Sequence, residues 1–158
     1  MKIVVFADSH RDNETMTFVV KKERPELVIH LGDHITDAEH LQKDFPEIPM
    51  EMVPGNTDTV ICYPYEKTII KNKKRIYITH GDRYNVQFGL SRIFYKGESV
   101  NADMILFGHT HIPYLENEGG IWMMNPGRIG RVSRNSIQAS YGIILLKNDE
   151  ICCSIKNI

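Results

Sequence analysis

Residues 2–33 read KIVVFADSHRDNETMTFVVKKERPELVIHLGD, and this stretch decides the fold class. Two short apolar runs, 2–10 and 26–34, flank a segment at 12–24 that has helical character. The apolar residues of that segment fall at i, i+3 and i+4: Met16, Val19 and Val20. Apolar runs that stop at Gly, Asp or Asn are typical of buried strands, and i, i+3, i+4 spacing is typical of a helix. The stretch therefore predicts a β-α-β unit with parallel strands.

The remaining segments extend this pattern into a mixed α/β domain with two sheets. A second helix is expected over 36–44, with Thr36 as N-cap and Glu39 at the capping-box position. A third is expected over 84–96, weakened by Gly89. Further strands are expected in the apolar runs at 50–58 and 102–111, and at 67–71, 75–79, 113–117, 121–124, 140–146 and 150–156. The pair 67–71 and 75–79 should form a hairpin around "NKK".

Composition limits the classes of function that are open to the chain. Its 158 residues suit one domain, 1–158, that is large enough to bury a core. With 19 basic and 20 acidic side chains, the chain lacks the basic excess of a dedicated nucleic-acid surface. Three cysteines without zinc spacing (Cys62, Cys152, Cys153), no leader pattern and no long apolar run indicate reduced thiols, no membrane segment and a cytoplasmic location.

Five of the predicted strands are followed by small clusters of polar residues. Ligands of parallel sheets bind outside the carboxyl ends of the strands, so these clusters are expected to lie together. They contribute seven candidate site residues: Asp8, His10, Asp33, Asn56, His80, His109 and His111. Imidazoles with oxygen ligands and no thiolate suit manganese, iron, nickel, cobalt or zinc. If the chain is extended at GHTH (108–111), the two histidines point the same way, about 6.5 Å apart, and reach either one ion or two.

Counting ligands favours two metal ions. Seven side chains exceed the four to six positions of one ion, whereas one bridging carboxylate gives about four protein bonds to each of two. A bridging water or hydroxide then leaves about one open position per ion. Two divalent ions, less two carboxylates and a hydroxide, leave a net charge of about +1, which favours an anionic substrate such as a phosphate ester.

The blocks "DSH" (8–10), "GD" (32–33), "GNTD" (55–58), "THGD" (79–82) and "GHTH" (108–111) resemble, in order, the five motifs of the calcineurin-like metallophosphoesterases. With "HLGD" and "NPGR" (125–128), the chain is most similar to the small bacterial and archaeal phosphodiesterase branch. The resemblance implies a four-layer αββα sandwich: two facing mixed β-sheets flanked by helices. It also implies that Asp8, His10 and His111 bind one ion, that Asn56, His80 and His109 bind the other, and that Asp33 bridges them. Asp58 would orient one of these groups.

Two residues depart from the family pattern. Where other branches have a histidine that resembles an acid for the leaving group, this chain has Thr57, which carries no proton usable near neutral pH. We therefore expect diesters, or esters with good leaving groups, to be preferred over unactivated monoesters. Arg128 replaces a small serine of the family. Arg128, Arg131 and Arg134 are interpreted either as a solvated loop or as a phosphate clamp.

Other titratable residues are expected to be structural. His30 lies within a strand and should be a satisfied core residue, and His40 should face solvent. His34 could line the site beside Asp33, although a structural role is favoured. Asp82 is expected to be structural or to support a ligand.

The sequence thus predicts a hydrolase that uses two divalent ions, with Mn²⁺ expected and Ni²⁺, Fe²⁺, Co²⁺ or Zn²⁺ as alternatives. Its substrate should be a small phosphodiester, and a homo-oligomer, either dimer or tetramer, is open. Two alternatives remain: a phosphomonoesterase or nucleotide phosphatase on the same centre, and a protein-interaction scaffold similar to the retromer subunit of this fold. The complete ligand set argues against the scaffold.

Overall fold

The computed structural model of the protein describes residues 1–59, 62–130 and 138–158. In chain order its elements are β1 (Lys2–Phe6), α1 (Asn13–Glu23), β2 (Leu27–His30), α2 (Ile35–Asp44), β3 (Met50–Met52), β4 (Glu66–Lys71), β5 (Lys74–Thr79), a 3-10 turn (Asp82–Tyr84), α3 (Ser91–Ser99), β6 (Met104–Leu106), β7 (Tyr114–Glu118), β8 (Ile121–Asn125), β9 (Ser140–Lys147) and β10 (Glu150–Asn157). Among these described segments, no helix combines the length and the apolarity needed to cross a bilayer.

The strands form two mixed five-stranded sheets, as the sequence predicts. The first sheet has the order β10-β9-β1-β2-β3, in which β1, β2 and β3 are parallel and β9 and β10 are antiparallel. The second has the order β4-β5-β6-β8-β7, with β5, β6 and β8 parallel and β4 and β7 antiparallel at its edges. The carboxyl ends of five parallel strands, β1, β2, β3, β5 and β6, are each followed by predicted site residues.

Alternation along the strands produces the layers of the fold. In β1, Ile3 and Val5 belong to a core that also contains Ile76 and Leu106 of the second sheet, so the two sheets pack face to face. Val4 and Phe6 point the other way, and they pack with residues of α1 and α2. On the outer face of the second sheet, Ile105 packs with Ile93 of α3. Helices therefore cover both outer faces, and the predicted four-layer sandwich is confirmed.

The helix boundaries were predicted unevenly. Helix α1 begins where expected, since the Asp12 side chain accepts a hydrogen bond from Thr15 N (3.0 Å). The capping-box prediction for α2 is wrong, because its N-cap is His34 in a left-handed conformation without a side-chain cap. Asp58 supplies the cap instead, accepting a hydrogen bond from Ile35 N (2.8 Å) from 23 residues away.

The helix predicted over 84–96 is also wrong in its first half. Asn85 adopts a left-handed conformation and Gly89 a φ of 153°, so the chain forms an irregular connection between the 3-10 turn and Ser91. Helix α3 then extends three residues beyond the prediction, to Ser99. Apolar residues at helix-like spacing over 84–96 pack against the second sheet, some from this irregular connection and the others from α3.

Candidate metal centre

The loops after β1, β2 and β3 meet so closely that two of their glycines leave no room for a side chain. Asp8 N donates to Gly32 O (3.1 Å), which joins the first two loops. A Cβ on Gly32 would lie 2.5 Å from Gly55 N, and a Cβ on Gly55 would lie 2.2 Å from Asp33 Oδ1. Gly32 also has a φ of 98°, which L side chains rarely adopt. The "GD" and "GN" motifs are therefore one packed structure that fixes Asp33.

Five of the seven candidate residues have a left-handed backbone: Asp8, His10, Asp33, His109 and His111, with φ between 44° and 69°. Each such residue costs on the order of 1 kcal/mol or more, and such strain clusters at functional sites. The extended GHTH geometry considered from the sequence is therefore wrong. The rings of the two histidines meet different neighbours: His111 contacts His10, and His109 contacts His80.

One group of four residues brings its ligand atoms together: Asp8, His10, Asp33 and His111, with atoms that all lie within 4.8 Å of one another. His111 Nε2 is 3.3 Å from Asp8 Oδ1 and 3.4 Å from His10 Nε2. Asp8 is fully buried, and its Oδ1 is one of the buried oxygens in the described part of the chain that accept no hydrogen bond. Its Oδ2 accepts a hydrogen bond from His109 N (3.2 Å).

A second group forms around His80 on the other side of Asp33. His80 Nε2 lies 3.1 Å from Asn56 Oδ1 and 3.4 Å from Asp33 Oδ1. The ring of His109 stands edge-on to that of His80, with centroids 5.1 Å apart. Asp33 thus contacts the second group through Oδ1 and belongs to the first group as well. The two histidines of GHTH are divided between the groups.

The donors and acceptors of these groups fit a cation. His80 Nδ1 is 2.8 Å from Leu31 O, which can only accept, so in the neutral ring Nδ1 carries the proton. The Nε2 lone pair then faces two oxygens that also carry lone pairs. Such crowding of acceptors is unfavourable unless a positive charge lies among them, and a carbonyl behind a histidine is the usual partner of a metal-binding imidazole. In the first group, the buried Asp8 Oδ1 accepts no hydrogen bond, which is likewise unfavourable unless a cation lies beside it.

The electrostatics favour the ligating protonation states. Burial, reinforced by the positive charge of Arg128, lowers the pKa of His10. Burial and the neighbouring His80 lower the pKa of His109. Burial acts to raise the pKa of Asp33, but His80 and hydrogen bonds from Thr57 outweigh it and hold that pKa below its ordinary value. Neutral imidazoles and an ionised carboxylate are the forms that bind a cation.

Two supporting residues are not among the seven candidates: Asp37, which carried no recognisable signal in the sequence, and Asn125, which lies in the "NPGR" block. Asp37 of α2 is buried and its Oδ2 accepts hydrogen bonds from Ser9 Oγ and Arg11 N, both 2.7 Å. Buried Asn125 donates from Nδ2 to Gly108 O (2.8 Å) and accepts from Gly127 N (2.9 Å), which supports the GHTH loop. The "NPG" motif quoted from the sequence therefore has a structural function here.

Four further titratable residues have different environments: Asp58, His30, His40 and His34. Asp58 accepts from Gly55 N (2.8 Å) and from Ile35 N, so it joins the "GN" loop to α2. His30 is buried, as predicted, with Nε2 3.2 Å from Ser9 Oγ and Nδ1 accepting from Gly32 N. His40 is exposed, also as predicted. The His34 ring contacts the ring of His10 (centroids 5.1 Å), which puts His34 beside the first group.

Thr57, Arg128 and Asp82 each lie near a residue of the two groups. The side chain of Thr57 is exposed, and its backbone N–H donates to Asp33 Oδ1 (3.1 Å). Arg128 is half-buried and close enough to His10 for its charge to act there. Arg131 and Arg134 lie outside the described residues. Asp82 begins the 3-10 turn and is half-buried, close enough for its charge to act on His109.

Comparison with known proteins identifies relatives over nearly the whole chain. A family model described as the calcineurin-like phosphoesterase superfamily domain matches residues 1–149. A Bacillus subtilis protein named probable metallophosphoesterase YsnB is 32% identical over 151 residues, which cover 94% of this chain and 86% of that protein. Phosphodiesterase YfcE of Escherichia coli K12 is 32% identical over 89 residues, 56% of this chain and 42% of YfcE.

Solved structures match the fold. A Streptococcus pneumoniae protein described as a predicted phosphoesterase superposes with a TM-score of 0.80 at 26% identity, over 99% of this chain and 88% of that one. Vps29 of Entamoeba histolytica gives a TM-score of 0.77 at 16% identity, over 100% of this chain and 99% of Vps29. At that identity, the Vps29 likeness concerns the fold alone.

Proposed function

The chain belongs to the calcineurin-like phosphoesterase superfamily, and on that premise we propose that it is a metal-dependent phosphodiesterase. One observation carries the proposal: two groups of lone-pair donors meet at Asp33, and a buried Asp8 oxygen among them is left without a hydrogen bond. In the proposed centre Asp8, His10 and His111 hold one ion, Asn56, His80 and His109 hold a second, and Asp33 bridges them.

When bound, two divalent ions supply Lewis-acid activation of a phosphoryl oxygen and of the attacking water. The protein's own groups then have positioning tasks. The Leu31 carbonyl fixes the tautomer and ring orientation of His80. The Thr57 N–H and the crowded Gly55 hold the Asp33 carboxylate in one orientation. Asn56 is exposed, so the second group faces solvent and an incoming substrate.

Thr57 supports the choice of diester over monoester. Its hydroxyl titrates far above neutral pH, so residue 57 cannot protonate a departing alkoxide. A diester carries one negative charge fewer than a monoester dianion, and an activated leaving group needs no protonation. YfcE, a relative over part of the chain, is itself named a phosphodiesterase.

The test compares a monoester and a diester that share the 4-nitrophenolate leaving group, on apo protein reloaded with each divalent ion in turn. The proposal expects the diester to have the higher kcat/KM with at least one ion, and Mn²⁺ to be among the activating ions. Equal or faster monoester turnover with every ion would establish the alternative, a phosphomonoesterase or nucleotide phosphatase.

The scaffold alternative rests on the likeness to Vps29, whose fold matches this chain over its full length. It is tested by His109→Ala against His40→Ala, a matched substitution of an exposed histidine on α2. The phosphodiesterase proposal expects His109→Ala to lose at least about a hundredfold in kcat/KM, as removal of a catalytic-site ligand does, and His40→Ala to be unchanged. A metal-loaded protein that cleaves no phosphoester would establish the scaffold.

The proposal extends to the domain organisation, the size of the substrate and the location of the protein. We propose that residues 1–158 act as one domain on a small phosphodiester in the cytoplasm. The three cysteines form no disulfide, and Cys62 and Cys152 are exposed, which suits a reducing compartment. A homo-oligomer, dimer or tetramer, stays a prediction from the family resemblance.

A further inference from the structure

An apolar cavity of about 420 Å³ opens beside the second group of the candidate metal centre. It is lined from one side by the connection between the 3-10 turn and α3, and from the other by residues 107–114. Five apolar or aromatic side chains and one candidate metal ligand define it: Val86, Leu90, Phe107, Ile112, Tyr114 and His109. Because His109 lines the cavity and also belongs to the second group, the cavity borders the centre. Its volume lies within the range of small-molecule pockets.

The backbone along one wall of this cavity has an irregular conformation. Gly81 has a φ of 108°, and a Cβ there would lie 3.0 Å from Val86 Cγ2, so Val86 packs closely on the Gly81 backbone. Asn85 and Gly89 also have positive φ, 53° and 153°. These conformations interrupt the helix that the sequence pattern favours, and Val86 and Leu90 line the cavity from the resulting connection.

Two of the polar side chains in the cavity wall, Thr110 and Tyr114, have hydrogen-bond partners within the protein. Thr110 Oγ1 accepts from Asn125 Nδ2 (3.0 Å) and from Ile112 N (3.3 Å). The Tyr114 hydroxyl donates to Glu116 Oε2 (2.9 Å). Of the described residues in the lining, Gln87 and His109 add the remaining polar side chains, and none is acidic or carries a fixed positive charge. A charged ligand group would therefore be poorly solvated here.

The opposite side of the centre is different in character. The cavity beside His10 is lined by Arg11, Asp12, Asn13 and Glu14, which are all polar or charged. A substrate with one uncharged ring and one polar ester group would bury the ring beside His109 and leave the polar group beside His10.

We propose that the cavity beside His109 binds an uncharged aromatic group on the ester oxygen that the substrate retains, while the phosphate lies at the metal centre. The proposal rests on the proposed function and adds a substrate class to it. Phe107 and Tyr114, whose ring centroids are 6.1 Å apart, supply aromatic surface, and Val86, Leu90 and Ile112 supply aliphatic surface. The ring fixes which diesters are turned over fastest.

The test uses two diesters with the same leaving group, 4-nitrophenyl phenyl phosphate and 4-nitrophenyl methyl phosphate, each rate divided by its rate with hydroxide alone. Metal-loaded wild-type protein should prefer the phenyl ester by about tenfold or more in kcat/KM, since a ring buries several more carbons than a methyl group. Ile112→Ser, which removes apolar surface, and Ile112→Trp, which fills the cavity, should each reduce the preference to below about threefold. Ile70→Ser is the matched control, because Ile70 is 60% exposed, Ile112 is 58% exposed, and Ile70 is remote from the cavity lining.

No preference in the wild type, or an unchanged preference in both Ile112 variants, would overturn the cavity proposal while leaving the phosphodiesterase proposal intact. If neither diester is cleaved, the proposed function fails, and binding decides the cavity separately. In zinc-loaded protein, phenyl methylphosphonate should shift the methyl resonances of Val86, Leu90 and Ile112 but not that of Ile70, and methyl methylphosphonate should shift none of these. Identical shifts with both phosphonates would refute the cavity assignment.

Discussion

Asp37 is not among the seven polar residues at the strand ends, yet two hydrogen bonds from the loop that carries Asp8 and His10 end on its Oδ2. The loop needs them because Asp8, His10 and Arg11 all have positive φ, a conformation that the chain does not hold by itself. The buried Asp37 carboxylate accepts hydrogen bonds from a backbone N–H and a hydroxyl of this strained loop, and so stabilises it.

Substitution of Asp37 by Ala should therefore weaken metal binding without removing a ligand. We expect the affinity for Mn²⁺ to fall by about 10- to 100-fold, as is typical of residues that orient ligands. Titration calorimetry of apo protein measures it, with Asp44→Ala at the exposed end of the same helix as control. Unchanged affinity in Asp37→Ala would mean that the loop keeps its conformation unaided.

Thr57 gives a second prediction for a single residue. Because its contact with Asp33 includes the backbone N–H, Thr57→His keeps that hydrogen bond and adds an imidazole at an exposed position. The added general acid should raise the monoester-to-diester ratio of kcat/KM by about tenfold or more. Thr59→His, an exposed threonine two residues on, is the control. A ratio that is the same in both variants would argue that Thr57 does not determine the substrate preference.

Glu23 at the end of α1 connects several secondary-structure elements. Its carboxylate accepts hydrogen bonds from Lys2 of β1, Tyr141 of β9 and Lys156 of β10. Burial acts to raise the pKa of Glu23, but these hydrogen bonds outweigh it and hold the pKa at about 2. One side chain therefore ties the first helix to three strands of the first sheet.

Glu23→Gln should lower stability by about 2 kcal/mol near pH 7, because two ammonium groups lose their buried counter-charge. The depressed pKa means that Glu23 contributes fully above its ordinary value of 4.5 and loses that contribution as the pH falls towards 2. Urea unfolding at pH 7, 4.5 and 3 should show the gap between wild type and variant narrowing at the lowest pH. A gap that stays constant would contradict the assigned network.

Helix α3 approaches the second sheet through a glycine. A Cβ on Gly97 would lie 2.2 Å from Ile105 Cδ1 of β6, so a larger residue at position 97 requires the Ile105 side chain or the helix to move. Gly97→Ala gains about 1 kcal/mol in helix propensity and loses about 1–3 kcal/mol to overpacking.

The overpacking in Gly97→Ala should be relieved in part by Ile105→Val, which removes Cδ1, the atom nearest to the added Cβ, and keeps Cγ1 at 2.7 Å. The double variant should therefore be more stable than the sum of the single effects allows, by about 1 kcal/mol. Denaturant unfolding of the four proteins in the cycle measures the coupling. Additive effects would show that the helix moves away from the strand at no cost.

The elements also show where sequence reasoning succeeds. Strands β4 and β5 and the C-terminal strands were predicted within one or two residues, because alternation and turn residues are local signals. The cap of α2 was missed because it comes from Asp58, 23 residues away in sequence. The start of α3 was missed because residues 84–90 pack on the sheet with helix-like spacing while Asn85 and Gly89 turn the backbone.

For the molecule as a whole, the position of the site follows from topology. Parallel strands in both sheets end at the same edge, so polar residues scattered from Asp8 to His111 along the chain meet there. The sequence predicted the members because they follow apolar runs. It did not predict their left-handed backbones, the crowded glycines or the apolar cavity beside His109, since each depends on contacts between distant loops.

In the proposed centre, the two histidines of GHTH are ligands of different ions. The most direct measurement is a crystal structure of manganese-loaded protein with anomalous scattering recorded for manganese. The account predicts two peaks per chain, with Asp8, His10 and His111 at one, Asn56, His80 and His109 at the other, and Asp33 between them. A single peak with both His109 and His111 as its ligands would contradict it.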